Sequence, residues 1–414
     1  MGNVVLLTID TLRRDALGCY GGRFTPFLDS IRDHCIQFNQ AHSTGPYTQA
    51  AFLAILTSSY YLEHGKQKML SGKRTLISEV LEKNGITTAG FHSNPYLSAY
   101  FGWNRGWDVF YDSMEDDLDE KIPYIKAQEI NRKVDTWLSS HVRQGTLKPF
   151  FLWVHYMDVH EPYIPERRYI DFVDSTLQIT EEEMSRLFKE VLLKRDASDR
   201  SVVQVLRKLY DAHVREVDDA IKGLFGILEK WKVLKESWVI LATDHGDEFG
   251  EHGGLSHDGK MYSELVHVPL ILFDPTSKKA ESSDLLVSTI DIPPTILYLF
   301  GLPQVNHFEG HSLVPLKDYP VRGVFGEAMD KLGNHERGED KEIHYYQEGD
   351  LKIIYRERDD SWELYDLKVD PRETNNIVEA SPQADAMRQK VRPRVRRYQE
   401  RSPMFRNEEG EWTE

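Results

Sequence analysis

Cysteine is nearly absent, with only Cys19 and Cys35 in 414 residues. That excludes a disulfide framework, and both are read as small buried hydrophobes. No run approaches the roughly 18 consecutive apolar residues that a membrane span needs. An excess of positive charge is lacking too, the formal balance being -16. Nucleic acid is therefore not expected as a partner, and an anionic substrate would have to be held by a few placed cations or a metal. The amino terminus Met1-Gly-Asn-Val-Val has no basic n-region and reaches Asp10 where a signal peptide would stay apolar. A soluble, unexported, cytoplasmic protein is expected. Neither a G-x-S-x-G elbow nor a G-x-x-x-x-G-K-S/T loop occurs, which removes the main support for serine-hydrolase and P-loop nucleotidase readings.

What is present is an alternation of short apolar runs with amphipathic ones. Val4–Ile9, Ile86–Phe91, Pro149–Val154, Trp238–Thr243 and Val268–Phe273 read as strands. Thr25–His34, Thr75–Asn84, Ile125–Val142 and Ser288–Leu297 read as helices, and Val202–Trp231 as one long helix or a pair. Residues 165–200 read as a charged surface insertion in which Thr180-Glu-Glu-Glu183 spells a capping box. The acidic run Glu115–Glu120 reads as a solvated loop. The pattern predicts an α/β fold with a large mixed, mostly parallel sheet flanked by helices, in a catalytic domain over 1–320. Short alternating runs after that predict a small antiparallel α+β subdomain over 321–414.

Three strand ends carry groups that can do chemistry. Asp10 follows the first strand, His155, Asp158 and His160 close another, and Asp244-His245-Gly246 closes a third. Ligands of α/β proteins gather at such ends. The mixture of carboxylate and imidazole around Asp244 suits manganese or zinc, or calcium where carboxylates dominate. On spacing alone, a metal site and a solvated acidic loop account equally for that stretch. Thr48 opens a small-residue helix, a place where free backbone N–H groups favour an anion.

These landmarks resemble, in order along nearly the whole chain, the sulfatase family of the alkaline phosphatase superfamily. The residues that carry the likeness are Asp10 with Gly18-Cys-Tyr-Gly21, Tyr47 to Gly65, and Pro149 to Pro162. Thr243-Asp-His-Gly246, Gly250-Glu-His252, Lys260 and Glu363 to Glu373 complete the series. The resemblance implies an ester hydrolase with one divalent metal ion held by Asp10, Thr48, Asp244 and His245. It places the nucleophile on Thr48, and proton transfer or oxyanion contact on His160, Lys260 and His257. Substrate contact falls on Asn94 and His252.

The likeness has departures that bear on the reaction. Thr48-Gln-Ala-Ala-Phe52 replaces the Cys or Ser with Pro-Ser-Arg from which formylglycine forms, and threonine cannot become formylglycine. Thr11 stands where a second aspartate is usual, and the lysine expected near Asn94 is missing. The resemblance then points to a threonine-nucleophile branch, with a covalent threonyl intermediate and phosphoric or phosphonic esters favoured over sulfuric ones. A sulfatase working without formylglycine, a phospho-headgroup transferase and a non-catalytic binding protein are the alternatives. The substrate class implied is an anionic ester, small or linked to a glycan or lipid. The oligomeric state is not set by these features.

Overall fold

The apolar run of the first strand, β1 (Asn3–Ile9), is buried at every position, as a central strand covered on both faces must be. The computed structural model describes residues 2–401 except 65–68, 117, 119–120, 144–147, 258 and 331–340. Gly65 and three positions of the acidic run, 117, 119 and 120, therefore lie outside the described residues. In chain order β1 is followed by β2 (Cys35–His42), β3 (Thr87–His92), β4 (Val109–Asp112), β5 (Phe150–Tyr156) and β6 (Ser237–Thr243). A short ribbon, β7 (Glu248–Phe249) with β8 (Leu255–Ser256), precedes β9 (Leu270–Phe273) and β10 (Glu281–Ser288).

The longer strands form an eight-stranded sheet in the order β10-β2-β9-β6-β1-β5-β3-β4. β1 is parallel to β5 and β6, and β3 to β4 and β5. β9 runs against both of its neighbours, β2 and β6. The sheet is thus mixed but mostly parallel. Successive side chains of β1 serve opposite faces, as the pleat demands. Val4 and Leu6 pack with Phe38, Phe52 and Trp153. Val5, Leu7 and Ile9 pack with Leu152, Val154 and the helices Ala127–Arg143 and Arg200–Lys230.

Three strands are not evident from periodicity. In β2 the polar Gln37, Asn39 and Gln40 interrupt the apolar signal, although Ile36 and Phe38 face one core. β10 begins Glu-Ser-Ser-Asp and carries a register shift between Ser283 and Leu286. β4 spans only four residues. The helix expected over Thr25–His34 is cut to Pro26–Ser30, followed by a 3-10 turn at Arg32–His34. A distant group sets its start: the Asp218 carboxylate accepts from Phe27 N at 2.8 Å and Leu28 N at 3.0 Å. The segment expected as one helix or two is a single helix, Arg200–Lys230, whose first turn is capped by Asp199. In the insertion, Thr180 and Glu183 form the reciprocal capping pair.

The carboxyl-terminal sheet is antiparallel, in the order β11 (Val324–Met329), β12 (Glu342–Glu348), β13 (Leu351–Arg356), β14 (Ser361–Asp366). Gly349, with φ of 58°, turns β12 into β13 where a tight hairpin favours the left-handed region. One face, with Phe325, Ile353 and Leu364, is covered by Met387, Val391 and Val395 of the helix Ala384–Arg401. The other, with Ala328, Ile343, Tyr345 and Ile354, joins the core of the large sheet. Among the described residues no helix is long and apolar enough to cross a membrane.

Candidate metal centre and active site

Parallel registry brings the strand-end groups together. Ile9 is paired with both Tyr156 and Thr243, so Asp10 and Asp244 leave the sheet side by side at its carboxyl edge. Thr11, the next residue, has φ of 55°. A β-branched side chain is strained there. The turn it makes aims Thr11 N at Asp244 Oδ1 (3.3 Å) and Leu12 N at Thr243 Oγ1 (3.1 Å). The strain is thus offset by tying the ends of β1 and β6 to each other.

Asp10, Asp244 and His245 are fully buried and can converge on one cation. His245 Nε2 lies 3.4 Å from Asp244 Oδ2 and 3.8 Å from Asp10 Oδ1. Its other ring nitrogen, Nδ1, is 2.9 Å from the Gly246 carbonyl. That contact fixes the proton on Nδ1 and leaves the Nε2 lone pair facing the carboxylates. Gly246 is required at this bend, because a Cβ there would stand 2.1 Å from the Glu264 carbonyl oxygen. Thr48 Oγ1, on the first residue of the helix Thr48–Thr57, is 3.4 Å from Asp10 Oδ2 and 3.5 Å from His245 Nε2.

The donor set fits a divalent cation. Asp10 Oδ1 and Asp244 Oδ2 are buried with no hydrogen-bond partner among the described residues. Two carboxylates sharing a dry pocket are costly without a positive charge between them. Burial and the neighbouring Asp10 push the Asp244 carboxyl up. Burial also works against Asp10, but His155, His160 and His245 outweigh it and hold that group well below the usual carboxylate range. Two carboxylates, an imidazole and a hydroxyl form a mixed oxygen and nitrogen shell of intermediate hardness.

His245, Asp247 and His257 form a second close triad. With Nδ1 of His245 taken by Gly246, its Nε2 can serve one ion only, so the two triads are not two independent metal sites. Asp247 and His257 instead bond each other, Oδ1 to Nδ1 at 2.8 Å, while Tyr163 OH donates to Asp247 Oδ2 at 2.5 Å. The His257 ring lies 4.5 Å from that of His245 and 5.1 Å from that of His160. Burial disfavours charge on His160, yet Asp10, Glu161 and Asp247 prevail and raise its pKa. His257 is driven well below the ordinary imidazole value by burial and by its two histidine neighbours. The pair therefore offers one imidazole that favours the cation and one that favours the neutral form.

Asn94 follows β3 and donates from Nδ2 to Asp10 Oδ2 at 2.7 Å. It reaches the centre as a partner of Asp10. Lys260 and His252 are committed elsewhere. Lys260 Nζ sits 2.5 Å from Glu248 Oε2 and 3.1 Å from the His252 carbonyl. His252 lies between Glu264 Oε1 (2.6 Å) and the Glu373 carbonyl (3.1 Å) and stacks on Tyr262 at 3.6 Å. Its ring joins the turn between β7 and β8 to the carboxyl-terminal unit. His155, Asp247 and Tyr163 join the site without a role read for them from sequence. The spacing of His155 before His160, and of Asp247 after His245, was their only signal. A cleft is lined by Gln49, the residue after Thr48, and by Tyr61, His64, Arg74, Tyr96 and Trp103.

Comparison with known proteins gives the family and the fold. The sulfatase family model matches residues 2–302, and the model described as N-sulphoglucosamine sulphohydrolase, C-terminal, matches residues 250–401. An arylsulfatase of Clostridium perfringens is 23% identical, covering 91% of this chain and 90% of that protein. An N-acetylglucosamine-6-O-sulfatase of Bacteroides thetaiotaomicron is also 23% identical, over 91% of this chain and 82% of its own. Among solved structures, a protein in complex with its substrate D-glucosamine-2-N,6-O-disulfate superposes with a TM-score of 0.79 at 21% identity, covering 97% of this chain and 99% of that one. The phosphonate monoester hydrolase of Agrobacterium radiobacter superposes with a TM-score of 0.75 at 17% identity, covering 99% of both chains. These likenesses show a shared fold. With a family match across most of its length and a buried carboxylate and imidazole centre at the sheet edge, the chain belongs to the sulfatase family of hydrolases.

Proposed function

We propose that this sulfatase-family hydrolase cleaves phosphoric or phosphonic esters, with Thr48 as nucleophile. The observation that carries the reading is the place of Thr48 Oγ1, 3.4 Å from Asp10 Oδ2 and 3.5 Å from His245 Nε2, at the start of a helix. Asp10, Asp244, His245 and the Thr48 oxygen would hold one divalent cation, manganese, calcium or zinc. When bound, that ion supplies Lewis acidity that favours the Thr48 alkoxide and polarises a non-bridging substrate oxygen.

The chain's own residues do the rest. Thr48 loses its hydroxyl proton and Oγ1 bonds to phosphorus as the bond to the leaving oxygen breaks. The leaving oxygen takes up a proton, which balances the one that Thr48 gives up, and His160, whose cationic form is favoured, supplies it. Water then attacks phosphorus, and Thr48 departs with its hydroxyl restored. His160 in its cationic form also offsets charge on the equatorial oxygens. The helix that begins at Thr48 has no side-chain cap, and its positive end favours an anion. The reading assigns catalysis to residues 1–320 and support to 321–414. Glu373 of the latter accepts from Ser263 N at 2.6 Å.

Phosphoryl esters are favoured because a threonyl ester is released only by a second attack at its central atom. The hemiacetal collapse that frees sulfate from formylglycine is closed to threonine. A second reading, a sulfuric ester hydrolase, is prompted by the relatives named as sulfatases. A panel of chromogenic phosphate monoesters and diesters, phosphonates and sulfates separates the two. Intact-mass measurement after brief incubation should show a phosphoryl adduct on Thr48. Preferred turnover of sulfates with no phosphoryl adduct would overturn the proposal in favour of the second reading.

A further inference from the structure

One oxygen of Asp10, Oδ2, accepts from the Asn94 amide at 2.7 Å and faces His155 Nε2 at 3.3 Å, and a chain of polar contacts lies behind that imidazole. The Trp153 indole Nε1–H is a donor only, and it lies 3.0 Å from Thr8 Oγ1. Thr8 must accept that proton, and its own hydroxyl proton has two possible acceptors. His155 Nδ1 is at 2.9 Å and the Val154 carbonyl at 3.4 Å. The shorter contact gives the proton to Nδ1, so a neutral His155 carries its hydrogen on Nε2. That Nε2 is fully buried, lies 3.3 Å from Asp10 Oδ2 as its near polar neighbour, and has no hydrogen-bond partner among the described residues. The opposite tautomer would turn a lone pair towards a buried carboxylate oxygen, an acceptor against an acceptor.

We propose that the relay from Trp153 through Thr8 makes His155 a positioning residue. Its Nε2–H, together with the Asn94 amide, holds Asp10 Oδ2 and leaves Oδ1 as the oxygen turned towards a divalent cation. The inference rests on the reading of Asp10 as a metal ligand and adds which oxygen ligates and what selects it. The His155 ring is fully buried and packed edge-on against Phe52 at 5.0 Å. The contact with His155 also leads the influences that keep the Asp10 carboxyl ionised against its burial. Partners of ligating groups that act in this way typically change metal affinity by about 10- to 100-fold when removed.

Two measurements test the relay. In metal-free protein labelled with 15N-histidine, the His155 signals, assigned by their loss in His155→Gln, should show Nδ1 as the unprotonated nitrogen and Nε2 as the protonated one. The reverse pattern would overturn the relay, and this result needs neither metal nor turnover. Titration calorimetry with Mn2+ alone then compares wild type, Thr8→Val and Thr8→Ser. Thr8→Val, nearly the same shape without the hydroxyl, should bind about 10-fold more weakly, and Thr8→Ser should bind like wild type. Equal affinity in Thr8→Val, or equal loss in Thr8→Ser, would overturn the positioning role. Wild type that takes up none of Mn2+, Ca2+ and Zn2+ would overturn the metal reading of Asp10 itself, a failure the tautomer measurement keeps separate from that of the relay.

Discussion

The side-chain amide of Asn94 donates to Oδ2 of Asp10 at 2.7 Å, and both residues are buried. A residue placed by resemblance among the substrate contacts is therefore bonded to a candidate metal ligand. Replacing Asn94 with Leu should weaken Mn2+ binding about 10-fold, with kcat falling more than KM rises. Calorimetry and steady-state kinetics on the variant check this. A rise in KM alone, with metal affinity intact, would return Asn94 to the role of a substrate contact.

The proposed reaction makes Thr48 its nucleophile. Thr48→Ala should lower ester hydrolysis by at least ~10^3-fold, whereas Thr48→Ser keeps a hydroxyl and should retain measurable turnover and a covalent adduct. Folding is monitored by near-UV circular dichroism. Unchanged turnover in the alanine variant would remove Thr48 from the mechanism.

The charge on His160 sets an expected pH dependence. Its pKa is raised because Asp10, Glu161 and Asp247 outweigh burial, so the cation persists above the ordinary imidazole range and is lost as pH rises through the raised value. kcat/KM should fall on that alkaline side. His160→Gln should lose roughly 10^2-fold in rate and flatten the limb. A pH profile unchanged in the variant would assign the limb to another group.

Asp158 offers a test on stability. Burial and the Glu216 charge push its carboxyl up to about 7, against the opposing Lys126 and the Ala127 N–H. An unfolded chain would ionise it near the usual carboxylate value of about 3.9. The folded state holds the extra proton, so stability is lost as pH climbs from about 4 to about 7 and is level outside that window. Asp158→Asn keeps an acceptor for Ala127. It should unfold at nearly the same urea concentration as wild type at about pH 4.5, but be more stable at about pH 8, by roughly 2 to 4 kcal/mol. A gap between the two that does not change with pH would contradict the assignment.

Cation removal gives a direct check on the centre. Because binding stabilises the folded state by mass action, Mn2+ or Ca2+ at about 100 times its Kd should add roughly 2.7 kcal/mol. Chelation should lower Tm accordingly and abolish turnover. In Asp10→Asn and Asp244→Asn the cation should leave Tm unmoved, because each removes a ligand charge from the same pocket. A cation-dependent Tm in both variants would place the ion elsewhere.

The fold class was legible because β1, β5 and β6 are apolar on both faces, and a run with no polar alternation is a central strand or nothing. β10 was not, since it is an edge strand with a bulge, and β2 was not, since Gln37, Asn39 and Gln40 interrupt its apolar run although it lies inside the sheet. The helix Pro26–Ser30 has its start set by Asp218, nearly two hundred positions away, which caps its first turn. Asp10, Thr48, Asp244 and His245 could be placed together from motif order, but order does not say which way a side chain turns. Lys260 shows the difference: its motif is intact, yet Glu248 holds its ammonium at 2.5 Å.

By itself the sequence determined the apolar strands of the core and the carboxylates at their ends, because these depend on residue type and local period alone, while the exclusion of formylglycine by Thr48 came from the resemblance of the motifs around it. Only the tertiary structure decided that Asn94 and His155 both serve Asp10, that Asp247 pairs with His257, and that His252 belongs to the contact with the carboxyl-terminal unit. Those assignments depend on the direction of hydrogen bonds between strands far apart in the chain, and a buried polar group takes whichever partner the packing brings within about 3 Å.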